Sequence, residues 1–426
     1  MTILVFLAVL LLGLSLGMPV GMAMLASAVA LMFQVGLLDS QILALQMLNG
    51  VDNFALLAVP FFLLAGEIMN VGGLSRRLFA IGIALVGHLN GGLGYVAVFA
   101  ALLLASLSGS PTADTAALAA MLIPMMRKAG YDVPLSTGLI AAGGVIAPVL
   151  PPSIGYIIFG ITAGVSITQL FIAGIVPGLL MGASLLVAWY FVARGRKMER
   201  LPKQSWGEVG RTIVQGSFAL MLPVIIVGGL RFGVVTPTEA GVVAAVYSIL
   251  IGMFVYRELT LAKLYDALRS TAYITAAAMF IVGCAGATTF LISIANVPAE
   301  LSALLAPLGD DPRIAMLVMM IIVFAVGLVL DTIPTTLLLA PIMMPVVQEL
   351  GIHPIYFGVL FIMNAAIGLI TPPVGIVLNV ASLVAKVELI KVWRAVLPFV
   401  LAETAILLLL IAFPEIVVAP LQWFTR

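Results

Sequence analysis

Long apolar runs fill the chain, and two of them break at a short polar tip. Ser108-Gly109-Ser110-Pro111-Thr112-Ala113-Asp114 separates the apolar stretches 94–107 and 115–126. Each flank falls short of the ~20 residues that a helical span needs. The tip is therefore no ordinary loop between two crossings. The pattern predicts a re-entrant hairpin that enters the membrane, turns, and leaves on the side it came from. Non-helical backbone at that depth is tolerated only where protein buries it or where it lines a watery cavity. Leu330-Asp331-Thr332-Ile333-Pro334-Thr335-Thr336 has the same character, between apolar stretches 314–329 and 337–347. Beyond each tip an apolar helix is interrupted by a double proline, Pro151-Pro152 in the first case and Pro372-Pro373 in the second.

The spacing of these features is regular. Pro124 and Pro345, Gly130 and Gly351, and Pro152 and Pro373 all lie 221 residues apart in a chain of 426. One unit is written twice, and such repeats are read before anything else. The first unit, 1–192, predicts helices at 3–16, 20–35 and 54–70, an interfacial arm at 74–88, hairpin 1 at about 93–127, a helix at 135–163 broken by its prolines, and a helix at 167–192. The second, 212–426, predicts helices at 213–230, 237–256 and 272–294, with an interfacial stretch around Lys263 and Arg269. An arm from Pro298, hairpin 2 at about 313–348, a broken helix at 355–385 and a helix at 392–412 follow. Between the units lies a polar linker, 193–211.

Each unit then crosses the membrane five times, since a hairpin does not cross. An odd number turns the second unit upside down, which is the inverted-repeat plan of secondary transporters. Charge supports this independently. With the linker in the cytoplasm, all but three of the 19 Lys and Arg face inward, the exceptions being Arg231, Arg313 and Arg426. That is the positive-inside asymmetry. The fold class expected is an all-α polytopic membrane protein of inverted repeats, with two re-entrant hairpins and two broken helices.

Composition agrees: 63% apolar and 9% charged, against roughly 45–50% and 25% in soluble proteins. A net charge of +1 gives no reason to expect nucleic acid. Cys284, His88 and His353 are too scattered for a metal site and read as structural. The start of the chain lacks the basic region of a cleavable signal and reads as a membrane helix.

Candidate chemistry gathers at the tips and breaks. A broken helix frees carbonyls, which with hydroxyls suit a hard cation such as Na⁺, while half-helix N-termini attract carboxylates. Ser108, Gly109, Gly144 and Ala147 are candidates for one cation site, and Pro334, Thr335, Gly368 and Thr371 for its mirror. Ser110, Thr112, Ser153, Asp331 and Thr332 are candidates for holding a carboxylate or polyol. An aspartate near the bilayer centre costs roughly 2.5–3.5 kcal/mol on insertion scales, so Asp331 needs a cation, a proton, substrate hydroxyls or a helix to cap. Asp114, four residues deeper, is expected to satisfy amides of the first helical turn. Glu239, in Thr236-Pro237-Thr238-Glu239, reads as a capping box. Glu67 and Glu403 read as an interfacial acid and an isolated helix acid.

These residues resemble a known family. AVPFFLLAGEIMN with GGLSRRL, SLSGSPTADTAA, GGVIAPVLPPS, TPTEAG and YFGVLFIMNAAIGLITPPVG look like the large membrane subunit of TRAP (tripartite ATP-independent periplasmic) transporters, and the likeness extends over nearly the whole chain. It implies Na⁺-driven import of an organic acid across the bacterial inner membrane by an elevator mechanism. It also implies a separate small membrane subunit of four helices and a periplasmic binding protein, and no enzymatic activity. The tips look most like the sugar-acid branch, with C4-dicarboxylates as the other substrate class. A carboxylate transporter that needs no binding protein is the alternative function. An intramembrane enzyme would need Asp/Asp or Ser/His at catalytic spacing, which neither tip offers.

Overall fold

The computed structural model describes residues 2–196, 198–305 and 311–425. Lys197 and Arg426, both counted in the charge balance, lie outside the described residues. The chain is helical, with no strand among the described residues. A hairpin of α1 (Thr2–Ser15) and α2 (Val20–Val35) comes first. Next is α3 (Ser40–Val51), and then a 3-10 turn, Phe54–Leu57, leads into α4 (Ala58–Val71). The arm α5 (Leu74–Val86) precedes hairpin 1, made of α6 (Gly92–Ser108) and α7 (Pro111–Lys128). The first broken helix is α8 (Val133–Gly144) plus α9 (Ile154–Ala163), followed by α10 (Ile167–Ala193).

The second half repeats this order. It runs α11 (Trp206–Arg231), α12 (Pro237–Leu250, continued by π-helical Ile251–Val255), α13 (Leu261–Ile294) and the arm α14 (Val297–Leu305). Hairpin 2 is α15 (Pro312–Gly327) with α16 (Thr332–Glu349). The second broken helix is α17 (Pro354–Gly368) with α18 (Ile376–Ala385), before α19 (Leu389–Ala412) and α20 (Glu415–Thr425). Helices α7 and α16 both have 18 residues and start 221 apart. Both double prolines contain a cis bond.

Three sequence expectations change. The interfacial stretch at Lys263 and Arg269 and the helix at 272–294 are one 34-residue helix, α13. No proline interrupts its sequence, and Gly283 and Gly286 continue the helix where they fall. The counterpart in the first half is split: Asp52 and Asn53 separate α3, which the apolar pattern did not reveal, from α4. The linker is shorter than 193–211, because Ser205 and Glu208 form a capping box that starts α11 at Trp206.

Among the described residues, six helical stretches are long and apolar enough to cross a membrane: Phe54–Val71, Ile167–Ala193, Trp206–Arg231, Pro237–Val255, Leu261–Ile294 and Leu389–Ala412. At 14 and 16 residues, α1 and α2 are separate but shorter than their counterparts, the 26-residue α11 and the 19-residue stretch Pro237–Val255. Packing divides the molecule into two bodies. In one, α4 packs on α12 and α13, α13 on α2 and α3, and α11 on α5. In the other, the hairpins and broken helices pack on one another and on α10 and α19. The second body holds the driest core. Every residue of Leu135–Gly144 and Ile355–Gly368 is buried, as is the whole first break, 145–153. The second break, 369–375, reaches the surface at Pro373.

Candidate functional site

Both tips meet on one cavity of about 400 Å³. Ser108, Gly109, Ser110 and Thr112 reach it from hairpin 1, and Asp331 and Thr332 from hairpin 2. Pro148, Ile154 and Gly155 of the first broken helix close one wall, and Glu67, Asn70, Ile274 and Ala278 of the other body form the opposite one. Three half-helix N-termini therefore end here, those of α7, α9 and α16. Each carries unsatisfied amides and roughly half a positive charge.

Local chemistry explains the tip shapes. Ser110 caps α7, its hydroxyl accepting from the Ala113 amide at 3.5 Å, and Pro111 supplies the fixed φ suited to the first helical position. Gly109 is left-handed, with φ +62°, and a Cβ there would lie 3.0 Å from the Pro152 carbonyl and 3.1 Å from the Ile154 amide. Only glycine lets the tip lie this close to the break.

Of the two tip acids, Asp331 takes up two of the parts expected of it and Asp114 does not cap. Asp331 caps α16, with Oδ1 accepting from the Thr332 amide at 2.6 Å, while it also lines the cavity. Asp114 caps nothing. It is 2% exposed, accepts from the Ser108 hydroxyl, and its Oδ2 has no partner. The repeat explains the difference. At the 221-residue offset Asp331 corresponds to Ser110, the other cap, and Asp114 to Thr335. Asp114 thus lies four residues, about one helical turn, deeper than Asp331 in the repeat. One consequence can be checked in purified protein. Asp331→Ala should lower stability by about 0.5–2 kcal/mol through loss of the cap. Asp331→Asn, which keeps a capping side chain, should lower it far less. Equal melting temperatures for wild type and Asp331→Ala would mean the cap contributes nothing.

The remaining candidates separate. Ser153 faces its own break, donating to the Pro148 carbonyl at 2.5 Å and capping α9 at the Tyr156 amide, and does not line the cavity. Gly144 lies behind hairpin 1, where the Thr115 hydroxyl packs directly on it. That hydroxyl is buried and has no hydrogen-bond partner. Ala147 is fully buried in the same break. Pro334 and Thr335 form the first turn of α16, with the Thr335 hydroxyl donating to the Leu330 carbonyl at 3.5 Å. The Thr371 hydroxyl donates to the Ile367 carbonyl at 2.8 Å, and Gly368 lies against the backbone of Gly327. Donating leaves the lone pairs of both hydroxyls open to a cation.

Two lining residues were not singled out in the sequence. Glu67 is on the cavity wall, with the Ser270 hydroxyl 3.4 Å from its Oε1. Asn70 is beside it, accepting from Ser75 at 2.7 Å. A hydrophilic i, i+3 pair on an otherwise apolar helix was the available signal. Glu403 is fully buried with no partner at either oxygen, and it is not on the cavity. Glu239 forms its expected capping box with Thr236.

Comparison with known proteins fits this geometry. The chain is 50% identical over 423 residues to the 2,3-diketo-L-gulonate TRAP transporter large permease protein YiaN of Escherichia coli, covering 99% of this chain and 100% of that one. It is 37% identical to the C4-dicarboxylate TRAP transporter large permease protein DctM of Pseudomonas aeruginosa, over 89% of each. The Alcanivorax borkumensis YdaH transporter shares the fold, with a TM-score of 0.64 over 88% of this chain and 89% of that one at 15% identity. Residues 5–416 match the family model of the DctM component of tripartite ATP-independent periplasmic transporters. The chain belongs to that family, and is a transporter permease of the bacterial inner membrane rather than an enzyme.

Proposed function

We propose that the chain imports a sugar acid, coupled to Na⁺, as the large permease of a tripartite system. A separate small membrane subunit and a periplasmic binding protein are its partners. The observation that carries this reading is the convergence of both hairpin tips on one cavity between half-helix N-termini. The cavity lies within the size range of small-molecule sites, roughly 300–1,000 Å³. The α7 and α9 termini attract the carboxylate of the solute, with the hydroxyls of Ser110 and Thr112 beside it. Asp331 is an acceptor only and repels a second carboxylate, so it receives hydroxyls. That division suits a polyhydroxylated monocarboxylate better than a dicarboxylate. The 50% identity to a permease named for 2,3-diketo-L-gulonate points the same way.

Sodium is assigned behind the tip. Ser108 donates to the half-free Asp114 carboxylate, the next residue's unpartnered Thr115 hydroxyl packs on Gly144, and these are hard oxygen donors. The second cation site is the mirror set at Thr335 and Thr371. Coupling then proceeds by an elevator motion of the hairpin body along the other. By the positive-inside rule the linker and the start of α5 are cytoplasmic. The cavity sits at the end of α4 that leads to Arg76 and Arg77, which both pair with Glu258. The described arrangement is thus the inward-facing one.

The test is reconstitution. Liposomes holding the permease and its small subunit should accumulate 2,3-diketo-L-gulonate only with the binding protein outside and an inward Na⁺ gradient. Import of free solute by the lone permease, or uptake that follows a proton gradient and ignores Na⁺, would overturn this reading.

A further inference from the structure

A second cavity, of about 360 Å³, continues the seam between the two bodies on the far side of the tips. Helices α9, α13 and α16 line both. On α13 the first cavity takes Ile274 and Ala278, and the second takes Val282, Ala285, Gly286 and Thr289. On the hairpin body the walls pass from Gly155 to Ile158 and Thr162 on α9, and from Ile333 to Leu337 on α16. At 1.5 Å per helical residue, Ala278 and Thr289 lie about 16 Å apart along the axis. The two cavities thus lie one after the other along the same helices.

The fixed wall of the second position is polar where the membrane would favour apolar residues. Gln46 and Asn49 of α3 and Asn53 at its end line it together with Thr289. Neither the Gln46 nor the Asn49 side chain hydrogen-bonds to any described residue. Asn53 uses only its Oδ1, which accepts from the Ala55 amide at 2.9 Å, so its NH₂ donors are free. This wall is also rigid. A Cβ on Gly286 would lie 2.8 Å from the Gln46 carbonyl and 2.7 Å from the Gly50 Cα, so α3 and α13 touch backbone to backbone. Free amides on a fixed surface, in a recess large enough for a small solute, make a hydrogen-bonding station for a ligand that is carried past it.

We infer that Gln46, Asn49, Asn53 and Thr289 form a second substrate half-site, which holds the hydroxyls of the sugar acid when the tips stand at the outer end of the seam. The inference rests on the elevator reading above and adds to it. The four side chains are uncharged, so they supply donors and acceptors without competing with the tips for the carboxylate. Glu67 and Asn70 take the equivalent part at the inner end. A solute handed from one polar wall to the other keeps its hydroxyls satisfied during both stops.

Two experiments on the complete system, using 2,3-diketo-L-gulonate and its binding protein, test this. A permease carrying Asn49→Cys and Ile333→Cys should cross-link during uptake, although the two positions line different cavities here. The buried native Cys284 serves as the background control. Gln46→Leu/Asn49→Leu should raise the concentration of loaded binding protein giving half-maximal uptake by roughly tenfold or more, with the near-isosteric Thr289→Val in the same direction. Neither the Gln46 nor the Asn49 side chain has a hydrogen-bond partner among the described residues, so the double variant should fold normally. Cross-linking with unchanged half-saturation in all variants would overturn the half-site and leave the elevator intact. Import by the cysteine pair without cross-linking would show that the tips never reach this wall, which also overturns it. Failure of the wild-type system to import would instead remove the proposed function beneath it.

Discussion

Asp114→Asn is expected to raise the Na⁺ concentration that half-saturates uptake by roughly ten- to a hundredfold, with little loss of folded protein. The carboxylate is buried, holds only the Ser108 hydroxyl, and leaves Oδ2 without a partner. An ionised carboxylate in such a place needs a compensating charge. No Lys or Arg side chain bonds to it among the described residues, so a bound cation is the compensation the site offers. Asparagine keeps the shape and the acceptor that Ser108 uses, and removes the charge. Losing one charged contact from a desolvated site costs about 1.5–3 kcal/mol, which is the stated change in affinity. Sodium activation curves, normalised to folded protein, decide the matter. An unchanged curve would leave Asp114 a packing residue.

Thr115 sharpens the argument through the sign of its effect. Its hydroxyl is buried, unpartnered and packed on Gly144. If it is merely an orphaned polar group, Thr115→Val removes an unsatisfied hydroxyl and should be neutral or stabilising. If it ligates sodium, the same variant should lower Na⁺ affinity and shrink the thermal stabilisation that sodium confers.

Much of the architecture was legible because the membrane restricts what a sequence can do. A polar tip between two runs too short to span has few solutions, and a double proline in an apolar helix has fewer. Hence the hairpins, the broken helices and the repeat followed from the residues. The misreadings arose where the membrane argument is silent. Helix α3 carries Gln41, Gln46, Asn49 and Gly50 and is too short and too polar to register as an apolar run. The role of Asp114 was missed because sequence position does not show that its carboxylate turns to the Ser108 hydroxyl rather than to the first amides of α7. Glu67 was not expected on the cavity because sequence position alone says nothing about which wall of α4 faces it. That required knowing that hairpin tips and α13 close around the Glu67–Asn70 face, a long-range packing result.

Gly368→Ala should be the most damaging single methyl in the second half of the chain. Gly368 was a candidate for its carbonyl, and the structure supplies a steric reason as well. A Cβ there would lie 2.6 Å from the carbonyl carbon and 2.7 Å from the carbonyl oxygen of Gly327, with the Gly327 Cα at 3.0 Å. All three atoms are backbone, so no side chain can rotate away. Relief requires α15 and α17 to separate, and these helices are closely packed within the buried core of the hairpin body. Overpacking a well-filled core typically costs 1–3 kcal/mol, occasionally more, and the rigid neighbour puts this case at about 3 kcal/mol or above. Separating the helices also displaces Asn364, whose amide donates to the Met320 carbonyl at 2.5 Å across the same contact. The expected result is a sharp fall in folded, monodisperse protein and in melting temperature, along with lost uptake. Gly207→Ala is the control, since a Cβ there meets nothing within 4 Å, and it should behave as wild type. If Gly368→Ala melts normally yet cannot be activated by sodium, the residue acts through its place in the cation site. If it melts and transports normally, hairpin 2 and the second broken helix are less tightly joined than their backbone distances require.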